Sequence, residues 1–236
     1  MTRIQGFIPY SVTDWPGKTC ATIFLPGCNF RCGYCYNADV VNGKGQTDLG
    51  IEDVLKTLNE HKDWYDGVCI TGGEPTIWKD LPKFCSIFQK EGYKVKLDTN
   101  GTNPRMLKQL LDEHLVDFVA MDFKAPIDEY SKVIGRKLTN QETYRILKSR
   151  NIVFDYQEYE FRTTVVPGIH GEEDIDIITS LHIPGAKNYA IQNFWNTGKH
   201  LDPKFKEVKP FPKEKLEEFK QIAEKTIKHV EVRSIV

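Results

Sequence analysis

The sequence predicts an α/β protein, an open partial (β/α)6 barrel of parallel strands covered by helices. Short β-type runs alternate with longer amphipathic stretches about six times along the 236 residues. This alternation is typical of a parallel sheet with helices packed on it. Six units are too few for a complete eight-stranded barrel. A doubly wound sheet would show the same periodicity, and the motifs described below favour the partial barrel.

The predicted elements follow one another in the order strand, helix, strand. The strands span residues 19–25, 68–71, 94–99, 117–122, 159–166 and 188–192. The helices between them span residues 51–61, 81–91, 105–114, 142–150 and 172–181. A last helix, 213–229, leads into a β-like tail at 230–232. We expect one domain over residues 1–236, with a core from about 19 to 193 and a C-terminal helix and tail at 213–236.

Composition indicates a soluble globular protein rather than a nucleic-acid or membrane protein. Hydrophobic residues make up 40% of the chain and charged residues 28%, which is enough apolar material for a real core. The formal net charge is −1, so we expect no bulk attraction to nucleic acid or to a membrane surface. No apolar run approaches the ~18 residues of a membrane span, and no export signal is visible. The expected location is the cytoplasm.

Three of the six cysteines lie within eight residues, directly after the first predicted strand. Cys28, Cys32 and Cys35 form a C-x3-C-x2-C loop in which three thiolates can converge on one metal centre. Complete four-iron clusters usually take four cysteines, so three would leave one iron open to another ligand. The alternative is a zinc site completed by a histidine or a fourth cysteine, but the usual second pair of cysteines does not follow. The remaining cysteines, Cys20, Cys69 and Cys85, are expected to be buried small hydrophobes.

Polar residues follow successive predicted strands, where a parallel β/α fold forms its ligand sites. Gly72-Gly73-Glu74-Pro75 ends the second strand, and two glycines there permit close approach of a ligand to the backbone. We expect the strand ends to face one cleft suited to a ligand with ammonium, carboxylate and hydroxyl groups. The further strand-end residues are Asp98, Thr99, Asn100, Asp122, Lys124, Arg162 and Gln192.

Residues 199–215 are rich in lysine and proline. Charge runs are usually solvated, so we expect a loop that precedes the last helix. The alternative is a docking surface for an acidic partner.

With these motifs the sequence resembles the radical S-adenosylmethionine (SAM) superfamily, through Cys28-x3-Cys32-x-Tyr34-Cys35 and Gly72-Gly73-Glu74-Pro75. More narrowly it resembles glycyl-radical-enzyme activases, above all the activating proteins of anaerobic ribonucleoside-triphosphate reductase. The stretches that carry this second resemblance are 6–8, 11–18, 24–39, 98–101 and 121–126. The similarity runs from about residue 6 to 166 and is vaguer beyond.

The resemblance implies a radical SAM type of partial barrel and a set of residue roles. Cys28, Cys32 and Cys35 would ligate three irons of one [4Fe-4S] cluster, and SAM would chelate the fourth. The amino group of SAM would be held by Gly72, Gly73 and Glu74. The other implied site residues are Asp98 with Thr99 or Asn100 at the ribose, Arg162 at the carboxylate, Tyr34 at the adenine, and Asn37, Asp122 and the catalytic Lys124 lining the active site. Some activases carry a histidine near the end of the last barrel strand, where this chain has Gln192-Asn193-Phe194, which leaves open which glycyl radical enzyme is the partner.

The implied reaction is reductive cleavage of SAM to methionine and a 5′-deoxyadenosyl radical, which takes a hydrogen atom from a glycine of the partner reductase. Flavodoxin or ferredoxin would supply the electron, and a second cluster is not expected. Three alternatives remain at this point. They are activation of another glycyl radical enzyme of the formate-lyase type, a small-molecule radical SAM enzyme such as a deazaguanine synthase, and a zinc or electron-transfer module without catalysis.

Overall fold

The computed structural model describes residues 3–44 and 49–234. Eight strands are found in this part of the chain, and their order in the sheet is their order along the chain. They are β1 (Gly6–Ser11), β2 (Cys20–Leu25), β3 (Gly67–Gly72), β4 (Lys94–Thr99), β5 (Phe118–Asp122), β6 (Tyr159–Val165), β7 (Asn188–Asn193) and β8 (His229–Arg233). The predicted α/β class with an open sheet of parallel strands is confirmed.

Four of the strand pairs are parallel, and the pair made by the first strand is antiparallel. β1 pairs antiparallel with β2, with Gly6 opposite Phe24. β2 pairs with β3, β3 with β4, β6 with β7 and β7 with β8, all in parallel register. The sequence did not predict β1, because Pro9 interrupts its pattern and a proline argues against a strand. The structure accommodates it by an irregular register between Ile8 and Ser11 on this outermost strand.

Eight α-helices are found in the described residues, most of them where the periodicity predicts a helix. They are α1 (Ala38–Val41), α2 (Ile51–Glu60), α3 (Leu81–Lys90), α4 (Pro104–Asp112), α5 (Tyr130–Val133), α6 (Asn140–Phe154), α7 (Glu172–Ile177) and α8 (Lys213–Ala223).

Several predicted helix boundaries were wrong for local reasons. α6 begins two residues before its predicted start because Thr139 accepts from the Glu142 N–H at 3.2 Å and forms a capping box with Glu142. The helix predicted at 172–181 is an α-helix that continues as a π-helix, Ile178–His182. The last helix ends at Ala223, six residues before its predicted end, and β8 is longer than the predicted tail.

Contacts divide the chain into two compact units. The first comprises Met1–Asn29 and Asp39–Val119, and the second Phe30–Ala38 and Ala120–Val236. Each has its own apolar interior, with fully buried Ile23 and Leu97 in the first and Phe161 and Ile191 in the second. The expectation of a single domain stays a prediction. Among residues 3–44 and 49–234, no helix is long and apolar enough to cross a membrane.

Candidate active site

The cysteine loop, residues 26–37, lies between β2 and α1, so its place at a strand end is as predicted. The Gly27 N–H donates to the Val40 carbonyl at 2.8 Å, and Gly27 has a φ of +84°, where glycine is favoured. The Cys35 N–H donates to the Cys32 carbonyl at 3.0 Å, which closes a turn between these two cysteines. Cys32 is buried, whereas Cys28 and Cys35 are partly exposed, and none of the three is in a disulfide.

The donor set fits an iron–sulfur cluster. No three His, Cys, Asp or Glu side chains among the described residues are arranged to hold a single metal ion. A cluster does not require such convergence, because each thiolate binds a different iron and the sulfurs stay further apart than around one ion. Burial raises the pKa of the Cys32 thiol to about 11, although the nearby Lys124 ammonium lowers it. Binding of iron at Cys32 would therefore have to displace a proton.

The Gly72-Gly73-Glu74 segment is hydrogen-bonded to the residues that precede Cys28. The Gly73 N–H donates to the Leu25 carbonyl at 2.9 Å, and the Glu74 N–H donates to the Gly27 carbonyl at 2.8 Å. A Cβ atom at Gly73 would lie 1.8 Å from the Gly27 carbonyl oxygen, so only glycine permits this approach. The two motifs that the sequence analysis singled out are therefore joined through their backbones in the first unit.

The Glu74 carboxylate ties the end of β3 to the end of β4. Only 1% of Glu74 is exposed. Its Oε1 accepts from Thr76 and from the Thr99 hydroxyl at 2.7 Å, and its Oε2 accepts from the Asn100 N–H at 2.6 Å. Burial raises the pKa of Glu74, while hydrogen bonds from Thr76, Asn100 and Thr99 counteract that shift. Sequence reasoning expected Glu74 to hold a ligand's amino group, and the structure shows a carboxylate that also organises two strand ends.

An amide–hydroxyl network continues from β4 to the cysteine loop within the first unit. The Asn100 side chain donates to Asn29 Oδ1 at 2.9 Å, and the Asn29 side chain donates to the Thr102 hydroxyl at 2.8 Å. Asn29 directly follows Cys28, so this network fixes the backbone beside a predicted iron ligand. Sequence reasoning missed Asn29 and Thr102, since neither residue type is a distinctive signal.

Asp98 pairs with a buried cation on its own strand. The Lys96 side chain is fully buried; its ammonium donates to Asp98 Oδ1 and lies 3.9 Å from Cys69 Sγ. The thiols of Cys20, Cys69 and Cys85 are fully buried, as the sequence predicts. Burial raises the pKa of the Cys69 thiol well above its usual value, so it is neutral.

In the second unit Asp122 lies between two cations. Its Oδ1 accepts from Arg162 Nε at 2.8 Å, and its Oδ2 accepts from the Lys124 ammonium at 3.0 Å. Burial acts to raise the pKa of Asp122, but the two cations outweigh it and lower the pKa to about 2. Burial acts to lower the pKa of Lys124, but Asp122 and other neighbours outweigh it and raise the pKa well above its usual value, so both groups are charged at neutral pH.

His170, which sequence reasoning missed, holds the backbone at Lys124. Its Nδ1 accepts from the Val166 N–H at 3.0 Å, so its Nε2 carries the proton and donates to the Lys124 carbonyl at 2.8 Å. Burial lowers the pKa of His170, which keeps the ring neutral. The Lys124 N–H in turn donates to the Tyr130 hydroxyl at 3.0 Å.

The remaining predicted residues of the second unit lie in or near the cysteine loop and at the end of β7. Tyr34 is buried and its ring meets the Phe205 ring edge-on, with centroids 6.2 Å apart. Asn37 is half-buried at the end of the loop, and Gln192 is half-buried near the end of β7. The predicted contacts of Tyr34, Asn37 and Gln192 with SAM stay predictions.

Residues 194–209, the cap segment, cover the backbone of the cysteine loop in the second unit. The Leu201 N–H donates to the Cys35 carbonyl at 3.1 Å, and the Asp202 N–H donates to the Gly33 carbonyl at 2.9 Å. His200 Nδ1 donates to the Tyr34 carbonyl at 3.0 Å. The sequence analysis expected a solvated loop in most of this region. No local pattern revealed its contact with the loop, because about 165 residues of chain separate the partners.

Comparison with known proteins decides the family. Residues 22–182 match the radical SAM superfamily. The chain is 36% identical to MJ1227 of Methanocaldococcus jannaschii, a candidate glycyl-radical enzyme activating enzyme. The alignment covers 98% of this chain and 96% of MJ1227. The chain belongs to the radical SAM superfamily, in the family of the glycyl-radical enzyme activating enzymes.

Two further comparisons agree with this assignment. The radical SAM enzyme is 29% identical to the pyruvate formate-lyase 1-activating enzyme of Escherichia coli K12, with 94% of this chain and 95% of that protein covered. Its fold is similar to that of a solved radical SAM methyltransferase from Sphaerobacter thermophilus, with a TM-score of 0.66 at 14% identity, over 93% of this chain and 67% of the other. The shared fold confirms the predicted radical SAM type of α/β architecture.

Proposed function

We propose that this radical SAM enzyme binds one [4Fe-4S] cluster through Cys28, Cys32 and Cys35, and generates a glycyl radical on anaerobic ribonucleoside-triphosphate reductase. The observation that carries the proposal is the backbone bonding of Gly73 and Glu74 to Leu25 and Gly27. It sets a glycine-rich strand end, suited to an ammonium ligand, beside the first cysteine. The enzyme would act in the cytoplasm.

Together the cluster and SAM supply the one-electron chemistry that forms the radical. The chain's own residues hold and orient the cofactor. The carbonyls of Gly72 and Gly73 would accept from its ammonium group, and Glu74 keeps the two strand ends in register. Asp98, Thr99 and Asn100, at the next strand end, would bind the ribose hydroxyls. Arg162 presents a fork of donors suited to the methionine carboxylate.

Lys124 contributes a fixed positive charge. It stays protonated because Asp122 raises its pKa, and its field lowers the pKa of Cys32. A cation beside a thiolate offsets part of the negative charge that a cluster carries. We therefore assign Lys124 and Asp122 to the electrostatics of the active site, with His170 and Tyr130 positioning the backbone of Lys124.

A second candidate function is activation of a pyruvate formate-lyase. It is favoured by the similarity to the Escherichia coli activating enzyme over 94% of this chain. The segment at which activases differ in the resemblance, Gln192-Asn193-Phe194, lies at and just beyond the end of β7 in this protein. Both candidate partners require the same cofactor chemistry and differ in the loop that reaches the active site.

Anaerobic reconstitution tests the proposal. We expect about four irons per chain, cleavage of SAM under reducing conditions, and a glycyl radical by electron paramagnetic resonance when the anaerobic ribonucleotide reductase is added. Pyruvate formate-lyase is the parallel arm, and a radical there alone would replace the first partner by the second. SAM turnover that needs no protein substrate would instead indicate a small-molecule enzyme.

A further inference from the structure

The cap segment is a built element of the second unit. Three successive carbonyls of the cysteine loop, those of Gly33, Tyr34 and Cys35, accept from Asp202, His200 and Leu201. Backbone contacts that cover each residue of Gly33–Cys35 fix the position of the segment relative to Cys35.

Side-chain packing also holds the cap segment in place. Phe205 is 5% exposed, and its ring lies 6.2 Å from that of Tyr34 and 6.3 Å from that of Phe194. A Cβ atom at Gly33 would lie 2.8 Å from the Phe205 ring, so the glycine permits this close approach. The Asn196 side chain donates to the Lys206 and Val208 carbonyls at 2.7 and 2.8 Å, which joins the two ends of the segment.

The outer surface of the cap is cationic and aromatic. It carries four exposed lysines against the exposed Glu207 and the half-buried Asp202, which pairs with Lys204 at 3.2 Å, although the whole chain has a net charge of −1. Trp195 is 43% exposed and Tyr36, the residue after Cys35, is 47% exposed, with ring centroids 5.7 Å apart. Protein interfaces are enriched in aromatic residues and have polar rims. The four exposed lysines are Lys199, Lys204, Lys206 and Lys209.

The proposed chemistry requires an electron from outside the chain. The three cysteines that do not belong to the loop, Cys20, Cys69 and Cys85, are each fully buried in the first unit. They provide no second centre at the surface. The electron must therefore arrive from another molecule that comes close to the cysteine loop, and the cap surface is directly attached to that loop.

We propose that the cap surface docks an acidic protein carrying a one-electron redox group, such as a flavodoxin, which donates to the cluster. The inference rests on the proposed function. In each encounter the donor loses one electron and the cluster gains it, with no bond made or broken. Weak redox encounters use small interfaces, and exposed charges around them set the association rate. Exposed lysines beside one aromatic pair are suited to such a weak, transient interface. A permanent complex would require a large apolar surface instead.

The test compares two charge-matched triple variants. The cap variant is Lys199→Glu, Lys204→Glu and Lys206→Glu; the control is Lys56→Glu, Lys83→Glu and Lys90→Glu, three exposed lysines of α2 and α3. Calorimetric titration of the reconstituted protein with oxidised flavodoxin should show binding about tenfold weaker for the cap variant and little change for the control. The wild-type affinity should fall as salt is added.

A second measurement follows bleaching of the cluster after mixing with reduced flavodoxin or with a photoreduced deazaflavin. We expect the cap variant to slow the first reaction and to leave the second unchanged. Iron content checks that the cap variant folds, and Lys204→Gln with Lys206→Gln replaces it if iron is lost.

Two binding results would overturn the inference: unchanged flavodoxin binding in the cap variant, or an equal loss of flavodoxin affinity in the control variant. A third result would also overturn it. If flavodoxin reduces the cap variant normally but the glycyl radical is lost, the surface binds the glycyl radical enzyme instead. Failure of the proposed function gives a different result: flavodoxin binding depends on the cap lysines, yet no candidate reductase acquires a radical.

Discussion

Cys32 and Cys85 are both buried thiols, yet the structure gives them different surroundings. Cys32 lies beside Lys124, Asp122 and Cys35, whereas Cys85 lies within the apolar face of α3. Burial raises the pKa of both thiols, to about 11 and about 12. The pKa therefore does not distinguish the proposed metal ligand Cys32 from the packing residue Cys85, whereas their neighbouring residues do.

Replacing each of these cysteines by alanine should separate the two roles. Cys32→Ala should abolish iron retention and SAM cleavage, because only two cluster thiols remain. Cys85→Ala should keep both and lose about 1 kcal/mol of unfolding free energy. Iron analysis and urea unfolding provide the readouts. Equal loss of iron in the two variants would contradict the ligand assignment.

Gly73→Ala should destabilise the folded protein far more than a typical surface substitution does. The new Cβ would lie 1.8 Å from the Gly27 carbonyl oxygen, and backbone atoms cannot yield as a flexible side chain does. We expect a loss of about 3 kcal/mol, measured by urea unfolding of the metal-free protein.

Gly171→Ala is the matched control for Gly73→Ala. Its nearest non-local atom would be 3.8 Å away and its φ of −128° suits any residue. It should cost only about 1 kcal/mol, because Gly171 is the N-cap of α7 and alanine is less favourable than glycine there. A similar loss in both variants would mean that the contact with Gly27 is not the cause.

The Asp122 carboxylate makes a pH-dependent contribution to stability. Its pKa is lowered to about 2 in the folded protein, so its contribution is present above its ordinary value of 3.8 and is lost as the pH falls towards 2. Asp122→Asn should cost at most about 2 kcal/mol of this stability at neutral pH, and the difference from the wild type should shrink between pH 4 and 2.

Urea unfolding of the metal-free protein at several pH values measures this contribution. Asp112→Asn, which alters an exposed pair with Lys108, is the control and should show little effect. A difference between wild type and Asp122→Asn that is independent of pH would show that the carboxylate is not held ionised by Arg162 and Lys124.

At the scale of elements, the cap segment and the cysteine loop form one assembly in the second unit. Removing the Phe205 ring should cost about 3 kcal/mol and leave the loop less well held. We expect Phe205→Ala to lose iron to a chelator faster than the wild type.

Phe154→Ala, at the end of α6, should lose less stability, because Phe154 is half-buried, and should show no faster iron loss. Its ring contacts those of Tyr159 and Phe161, which is packing of similar kind outside the cap. Equal chelation rates in the two phenylalanine variants would show that the cap does not support the cysteine loop.

Elements with strong periodicity were predictable, and those that depend on distant contacts were not. β2 to β7 lie within a few residues of their predictions, because apolar and β-branched runs bounded by turns indicate buried strands. β1 was missed because Pro9 breaks the pattern. The motif spacing predicted the cysteine loop and the glycine-rich strand end. The roles of His170, His200 and Phe205 could not be predicted, since their partners lie far away or have no local pattern.

At the scale of the whole molecule, the end of the chain is tied to β6 of the second unit. Arg233 on β8 forms a bidentate ion pair with Glu160, which is 2% exposed. Arg233→Met should leave a buried carboxylate without this cation and cost about 3 kcal/mol.

The double variant Glu160→Gln, Arg233→Met should recover part of that loss, because no uncompensated charge remains. Urea unfolding measures both variants. Equal stability of the single and double variants would contradict the ion-pair explanation.

The cap has a consequence for biosynthesis. A chain emerges from the ribosome with its N-terminus first, so Cys35 leaves the exit tunnel long before Leu201, which covers it. During that interval the carbonyls of the cysteine loop are without their partners from the cap. We expect stable iron loading to begin only after the cap segment has left the exit tunnel, which would make maturation of a metal centre at this loop a late step.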